Sequence, residues 1–271
     1  MQIQQHEIEE IHQFIYTNFG IHLSSKKKTL IESRLASTVI AKGFTSYNDY
    51  LNYVKTDPTG KEATHLLNKL TTNHTYFLRE KDHFDYLEQT LLPLLFDNNK
   101  TSKDIRIWSA GCSSGQEAYT IAMYILDFKK KHPEYSDFNT EILATDISEQ
   151  ALTKGIKGIF RKDDINIPTQ WITDYFVNHS KAFYQVNEKL RKQIIFRKFN
   201  LMTSTYPFKQ DFHIIFCRNV MIYFDKVSKQ TVIDKFYAAL HKDGHLFIGQ
   251  SEFIDRKSTK LTYVLPSVYQ K

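Results

Sequence analysis

The apolar positions of the first 80 residues recur at helical intervals. Ile8 and Ile11 begin one such series, and Gly20 follows it as a typical helix stop. Three further segments carry a helical pattern: about 24–43, about 46–54 and about 61–70. Ser46 and Asp49 are placed as a capping box at the start of the third helix. The pattern predicts a small helical domain without any strand–helix–strand unit.

From about residue 105 the pattern changes to short apolar runs separated by helical segments. The strand candidates are 105–109, 142–145, 213–217, 245–249 and a last β-rich piece, 262–269. Helices are predicted over 116–130, after residue 148 and over 226–241. This alternation is typical of a parallel α/β sheet with helices packed on it.

One region keeps the alternating pattern of a hairpin. Between Phe183 and Phe199 aromatic or branched residues alternate with polar ones, which predicts an antiparallel hairpin separate from the parallel sheet. We therefore expect a helical domain over 1–74 and an α/β domain over 75–271. The second domain would contain a small β-subdomain at roughly 180–198.

The composition excludes several classes of protein. Of 271 residues, 41% are hydrophobic and 24% are charged, which is typical of neither a disordered nor a collagen-like chain. The longest apolar runs span only a few residues, whereas a membrane helix needs roughly 18 or more. The N-terminus lacks the cationic and apolar regions of a signal peptide. We predict a soluble, cytoplasmic protein.

The net charge of +6 is concentrated in one stretch, because residues 151–200 carry ten Lys or Arg against four Asp or Glu. Such a stretch favours an anionic partner, which could be nucleic acid, lipid headgroups or a carboxylate-rich protein. Cys112 and Cys217 cannot form a disulfide framework and are expected to be buried thiols. Neither they nor the eleven histidines give a metal-ligand pattern, so no metal is expected.

A glycine-containing loop is the first candidate ligand site. Gly111 and Gly115 lie between a predicted strand and a predicted helix, where α/β sheets bind nucleotide-like ligands against backbone N–H groups. The loop matches neither the dinucleotide fingerprint nor the P-loop, so the ligand need not carry a pyrophosphate. Asp146 ends the next strand, where a carboxylate can accept hydrogen bonds from both ribose hydroxyls. This combination points to S-adenosylmethionine.

Six segments occur in order along nearly the whole chain: Leu70–Glu80, Trp108–Tyr119, Ala144–Asp146, Gly158–Arg161, Ile215–Asp225 and Phe247–Glu252. Together they resemble the successive motifs of the chemotaxis receptor methyltransferases, the CheR-type enzymes, and the run 218–225 (RNVMIYFD) is highly specific. Gln116 and Ala118 stand where members commonly have Glu and Pro, and Gln250 stands where they have His. A family role for an imidazole at position 250 therefore cannot be carried over.

The resemblance implies an S-adenosylmethionine-dependent enzyme that esterifies glutamate side chains on the cytoplasmic helices of chemoreceptors. It also implies a Rossmann-like methyltransferase sheet with an N-terminal all-helical domain and an inserted antiparallel β-subdomain. In that family the cofactor is held by the residues matching Asn73, Thr75, Arg79, Glu117, Asp146, Asn200, Leu201, Arg218 and Asn219. Gly111 joins this set from the loop pattern. Residues matching Arg79 and Tyr223 line the place where methyl donor and substrate meet.

The implied reaction suits these residue types. A glutamate carboxylate is already ionised near neutral pH, so it needs no general base to become a nucleophile. Positioning the methyl group in line with a carboxylate oxygen can supply about 7 to 11 kcal/mol of the barrier. The Tyr223 hydroxyl is suited to orient that oxygen. The Arg79 guanidinium can bind a carboxylate of either the cofactor or the substrate, and the sequence does not decide between them.

The resemblance also implies a docking face for the receptor. Lys27, Lys28 and Arg34 lie on the predicted second helix, and the helical module of the family docks near acidic methylation helices. In some members the β-subdomain binds a receptor tail peptide by adding a strand. No nucleic acid and no membrane insertion are expected. Two alternatives stay open: a nucleic-acid methyltransferase, although the Asn/Asp-Pro-Pro motif of base methylation is absent, and a catalytically silent cofactor-binding regulator.

Overall fold

The computed structural model describes residues 2–22, 28–71 and 74–271. The first helices are α1 (Gln5–Phe19), α2 (Lys28–Ala41), α3 (Tyr47–Thr56) and α4 (Lys61–Leu70). Two predicted ends are confirmed: Gly20 closes α1 in the left-handed conformation, and the Ser46 hydroxyl accepts a hydrogen bond from Asp49 N at the start of α3. The predicted start of the second helix near residue 24 lies outside the described residues. The four helices enclose a hydrophobic core of their own.

The main sheet has seven strands, in the order β6 (Ile194–Lys198), β2 (Ile142–Asp146), β1 (Ile107–Ala110), β7 (Phe212–Cys217), β8 (Leu240–Ile248), β10 (Val268–Gln270) and β9 (Thr262–Leu265). The five strands from β6 to β8 pair in parallel, and β10 and β9 add an antiparallel edge. The parallel α/β sheet predicted from the sequence is thereby confirmed. The predicted thiols Cys112 and Cys217 are buried and free.

Helices cover both faces of this sheet, and successive residues of a strand face opposite cores. Ile107 packs in one core with α7 (Gln116–Lys131), whereas its neighbour Trp108 packs in the other with α11 (Lys226–Ala239). A segment that the sequence left unassigned joins the first core: α5 (Lys81–Tyr86), a π-helical turn (Leu87–Leu91) and α6 (Leu92–Asn98). Within the described ranges, no helix has the length and apolar character that crossing a bilayer requires.

The structure differs from the predicted hairpin over 183–199. A separate antiparallel sheet exists, but its strands are β3 (Ile159–Arg161), β5 (Phe183–Val186) and β4 (Phe176–Asn178). The second half of the expected hairpin is β6, which pairs in parallel with β2 at the edge of the main sheet. The period-two pattern identified both strands correctly, but it carries no information about which strand each one pairs with. The short helix α10 (Glu188–Arg191) separates β5 from β6, so the two do not form a hairpin.

The helical domain packs directly against the carboxyl edge of the main sheet. Asn200 Nδ2 donates to Asn18 O over 3.0 Å, and the Tyr16 hydroxyl donates to Asp225 Oδ2 over 3.0 Å. An isolated bridge pairs Ile21 with Phe224. These contacts join the end of α1 to the segments that follow β6 and β7, so the first helix helps to wall the cleft described next.

Candidate active site

A cleft opens where β1, β2 and β7 end, at the carboxyl edge of the main sheet. Gly111, Asp146 and Arg218 line it, one from the end of each strand. The opposite wall comes from the helical domain, through Phe19, Ile21, Leu67, Asn68 and Thr71. The cleft measures about 1070 Å³, counted with the solvent at its mouth. Its location is the usual ligand site of an open α/β sheet.

The glycine-containing loop and Asp146 hold each other in place. Gly111 has a φ of +81°, and a Cβ atom there would lie 2.4 Å from Val220 Cγ2, so only glycine fits without displacement. The Asp146 carboxylate accepts hydrogen bonds from Ser113 N and Ser148 N, each over 2.8 Å. Burial raises the pKa of Asp146, although these two backbone bonds oppose the shift. The loop and the carboxylate thus form one preorganised wall of the cleft.

Arg218 lies at the base of the cleft between two carboxylates. Its Nη2 lies 3.0 Å and its Nε 3.2 Å from Glu80 Oε2, and its Nη1 lies 3.3 Å from Glu117 Oε2. Its Nη2 also donates to the carbonyl of Arg79. The Arg218 side chain is only 2% exposed, so this is a buried, hydrogen-bonded ion triad.

The pKa values of the two carboxylates in this triad are shifted in opposite directions. Burial alone would raise the pKa of Glu80, but the Arg218 charge and the hydrogen bonds from Arg218 and Asn219 hold the pKa below its usual value. Burial raises the pKa of Glu117, because Arg218 and the Ser109 hydroxyl compensate less there. The difference follows from geometry, since Arg218 makes two hydrogen bonds to Glu80 and one longer bond to Glu117.

A further buried carboxylate, Glu252, shapes the turn after β7. It accepts hydrogen bonds from Asn219 N and Ile222 N over 3.0 Å each, and from Gly249 N over 2.6 Å. Asn219 has a φ of +59°, which a non-glycine residue rarely adopts. Its Nδ2 donates to Glu80 Oε1 over 3.2 Å, while its buried Oδ1 has no partner among the described residues. Glu252 therefore stabilises a strained turn that lines the cleft.

The mouth of the cleft contains Arg79 and Tyr223. The Arg79 guanidinium lies 5.7 Å from the centre of the Tyr76 ring and donates to His74 O over 3.1 Å. No carboxylate of the described residues lies within 4.0 Å of it. Tyr223 is half-buried, and its carbonyl accepts a hydrogen bond from His22 N over 2.8 Å.

The structure brings most of the predicted site residues together. The cofactor-binding candidates that line the cleft are Thr75, Arg79, Gly111, Glu117, Asp146, Asn200, Leu201, Arg218 and Asn219, and Tyr223 joins them. Asn73 and Lys27 lie outside the described residues. Lys28 is exposed. Arg34 Nη1 donates to Leu70 O and Thr71 O over 3.1 and 3.3 Å, so it caps α4, and its receptor role stays a prediction.

Sequence reasoning missed two residues of the site, Glu80 and Glu252. Each is the last residue of a segment that resembles a family motif, so both residues had been noted in the sequence. Their roles could not be predicted, because Glu80 accepts a hydrogen bond from Arg218, 138 residues away in sequence, and Glu252 accepts one from Asn219, 33 residues away. The one available signal was that each of these motifs ends in an acidic residue for which no partner had been predicted.

Two family models together match nearly the whole chain. The all-alpha domain of the CheR methyltransferases matches residues 6–71, and their SAM binding domain matches residues 73–269. This chain belongs to the CheR methyltransferase family. The CheR-type resemblance of the six motifs is confirmed, and so is the methyltransferase fold with its all-helical N-terminal domain and small antiparallel sheet.

Curated relatives carry the same assignment. The chemotaxis protein methyltransferase of Borreliella burgdorferi is 43% identical and covers 99% of this chain and 95% of its own length. That of Escherichia coli K12 is 33% identical, with 96% and 88% covered. A solved structure, PKMT2 from Rickettsia typhi in complex with AdoHcy, is a distant match with a TM-score of 0.32, 14% identity, and 54% and 21% covered. The chain is an S-adenosylmethionine-dependent methyltransferase of chemotaxis.

The cleft fits S-adenosylmethionine chemically. The ligand's amino group and ribose hydroxyls are hydrogen-bond donors, and the cleft offers acceptors in the buried Asn219 Oδ1 and the Asp146 carboxylate. Within 2–22, 28–71 and 74–271, no group of three or more His, Cys, Asp or Glu side chains is placed to hold a metal ion.

Replacing Glu252 with Gln should destabilise the protein. The amide would keep one acceptor oxygen but direct an NH₂ group at a backbone N–H, which costs about 1.5–3 kcal/mol for a buried charged acceptor. The free energy of unfolding measured in urea should fall by that amount, and S-adenosylhomocysteine should bind more weakly because Asn219 shifts. Glu141→Gln, an exposed control, should change neither. Equal stability of the two variants would contradict the clamping role.

Proposed function

We propose that the protein transfers the methyl group of S-adenosylmethionine to glutamate side-chain carboxylates of chemoreceptors, forming methyl esters. One observation carries the choice of a carboxylate acceptor. Arg218, inside the cleft, is ion-paired with Glu80 and Glu117, whereas Arg79, at the mouth, forms no ion pair within 4.0 Å with a described residue and acts on Glu117 only at longer range. The mouth thus keeps a positive charge for an incoming carboxylate.

The residues of the mouth have separate tasks in this proposal. Arg79 attracts the acceptor carboxylate, which arrives ionised and needs no base. Tyr223 is held by its carbonyl bond to His22 and offers its hydroxyl to orient the acceptor oxygen. Bound S-adenosylmethionine supplies the sulfonium methyl group. Walls from both domains line the cleft, and displacement of water by the bound reactants strengthens these charge interactions.

We propose that the receptor also contacts the helical domain. Of the predicted basic face, Lys28 is exposed, and Arg34 is half-buried where it caps α4. The division into domains at 74/75 remains our proposal, and the family models over 6–71 and 73–269 support it. The small β-subdomain then spans β3 to β5 instead of 180–198.

Transfer of label tests the proposal. The enzyme is incubated with radiolabelled S-adenosylmethionine and either receptor-rich membranes or RNA, and the products are treated with mild alkali. Methyl esters should appear on the receptor and release volatile methanol. Label in RNA, or receptor label that resists alkali, would contradict the proposal, and the first result would favour the nucleic-acid alternative.

Tyr223→Phe should lower turnover and leave cofactor binding nearly intact. The hydroxyl is proposed to touch the acceptor, so kcat should drop while the S-adenosylhomocysteine Kd stays within about threefold. Tyr53→Phe, a change at an exposed tyrosine of the helical domain, serves as the control and should behave as the wild type. Wild-type turnover in Tyr223→Phe would reduce this residue to a packing role.

A further inference from the structure

Three apolar side chains stand exposed beside the cleft mouth, although most large apolar residues of this chain are buried. They are Ile222, Val227 and Phe253, with exposed fractions of 48, 69 and 69%. Ile222 immediately precedes Tyr223, and Val227 lies in the first turn of α11. Lys229, in the same turn, lies 5.8 Å above the Phe253 ring, so the α11 start and Phe253 are neighbours. We call these three residues the mouth patch.

The mouth patch is rigidly connected to the cleft. Ile222 N donates to Glu252 Oε1, and Phe253 is the next residue after Glu252. The other oxygen of the same carboxylate accepts from Asn219 N, which lines the cleft. One buried side chain therefore fixes both surfaces. A partner bound on the mouth patch would be held in a fixed position relative to Tyr223.

The rim of the mouth patch is cationic. Lys226, Arg256 and Lys257 are exposed in the segments that carry it, and Lys229 lies over Phe253. The Arg256 guanidinium lies 4.1 Å from the centre of the Tyr263 ring. Two aspartates of the same segments keep their negative charges: Asp225 accepts from Ser228 N and the Tyr16 hydroxyl, and Asp255 accepts from Lys257 N. Four cations therefore stand against two carboxylates. The surface thus combines an apolar centre with an excess of positive charge, which is complementary to an amphipathic helix that carries carboxylates.

We infer that the mouth patch is the docking surface for the glutamate-bearing helix of the substrate, and that it presents the acceptor glutamate to Tyr223. The inference rests on the proposed function and adds to it a second contact surface, on the methyltransferase domain. It is separate from Lys28 and from the small antiparallel sheet. An apolar anchor ringed by polar contacts is the usual composition of a binding hot spot.

A pair of substitutions at Phe253 separates the apolar and the charged parts of this contact. Both Phe253→Lys and Phe253→Glu remove the ring, but only Phe253→Glu opposes an acidic partner. Phe253→Glu should raise the receptor KM about tenfold or more, and Phe253→Lys should raise it less. The S-adenosylhomocysteine Kd should stay at the wild-type value in both. Leu94→Glu is the matched control, since Leu94 is 49% exposed on α6, and its KM should equal that of the wild type.

The receptor KM values of the two Phe253 variants decide whether the inference holds. A wild-type KM for Phe253→Glu overturns it, and so does an equal rise in both Phe253 variants. Sedimentation checks the competing occupant: a wild-type dimer that Phe253→Glu converts to a monomer, with unchanged receptor KM, would assign the mouth patch to a second copy of this chain and overturn the inference.

Binding separates this inference from the proposed function. The probe is a fluorescently labelled cytoplasmic fragment of a chemoreceptor, and its anisotropy is measured with the full-length enzyme. If the fragment binds the wild type, binds Phe253→Glu more weakly and yet acquires no alkali-labile methyl group, the docking surface stands and the proposed reaction fails. If the fragment is methylated by both enzymes with equal KM, the reaction stands and the docking surface fails.

Discussion

Replacing Arg218 with Met should be the most damaging single change in the cleft. It leaves Glu80 and Glu117 as buried carboxylates without a cation, and loss of one partner of a buried pair typically costs about 3–5 kcal/mol. For a chain of this length the Tm should fall on the order of 10 °C. S-adenosylhomocysteine binding should be lost as well, because Glu117 and Asn219 lose their positions.

The loss of stability in Arg218→Met should grow as pH rises. Without Arg218 the folded-state pKa values of Glu80 and Glu117 lie above their unfolded values, so each carboxyl group favours the folded state only while it is protonated. Stability of the variant is then lost as pH rises through those folded-state values. The Tm difference from the wild type should accordingly be smaller at about pH 5 than at about pH 7.5.

Calorimetry of Arg218→Met at the two pH values measures this effect. Arg161→Met is the control, because the Arg161 side chain is 61% exposed and lies 3.5 Å from the exposed Asp163. Its cost should stay within about 0.5 kcal/mol at either pH. A pH-independent deficit in Arg218→Met, or a deficit no larger than that of the control, would refute the account of the ion triad.

Asp146→Ala should weaken cofactor binding with little loss of stability. The carboxylate is a charged acceptor worth about 1.5–3 kcal/mol to a ligand, which corresponds to a 10- to 150-fold weaker Kd for S-adenosylhomocysteine. The free protein loses less, because removing a buried carboxylate also removes its desolvation cost and offsets the lost bonds to Ser113 and Ser148.

Titration calorimetry checks the Asp146 prediction. Asp146→Asn should fall between the wild type and Asp146→Ala, since the amide keeps one acceptor oxygen. Asp163→Ala, at a side chain that is 84% exposed, should bind as the wild type does. An unchanged Kd in Asp146→Ala would remove Asp146 from the cofactor site.

Local patterns were sufficient for much of the fold. The helix Gln116–Lys131 and the strand Phe212–Cys217 were predicted to within one residue at each end, because their apolar spacing and caps lie within the segment itself. The segment 81–98 was left unassigned, and the structure forms it from two short α-helices joined by a π-helical turn. The predicted pairing of β5 with β6 was wrong for another reason, because the alternation of apolar and polar residues does not specify which strand lies next to which.

The candidate site was predictable as a set of residues but not as a network. Glycine, Asp146 and the motif after β7 identified the sheet edge from their order along the chain. Arg218 was predicted to hold the cofactor, and that role stays a prediction. Its hydrogen bonds to Glu80 and Glu117 were not predicted. A buried charge needs a partner of opposite charge, and that partner can be distant in sequence. Such long-range pairs leave no local sequence signal.

The position of the transferred methyl group tests whether the protein methylates glutamate side chains. A chemoreceptor cytoplasmic fragment is methylated by the purified enzyme, digested under acidic conditions that preserve esters, and sequenced by tandem mass spectrometry. We expect the methyl group on glutamate side-chain carboxylates, with loss of each modification when that glutamate is replaced by alanine. A methyl group on lysine, arginine or a backbone terminus, or no modified glutamate at all, would contradict it.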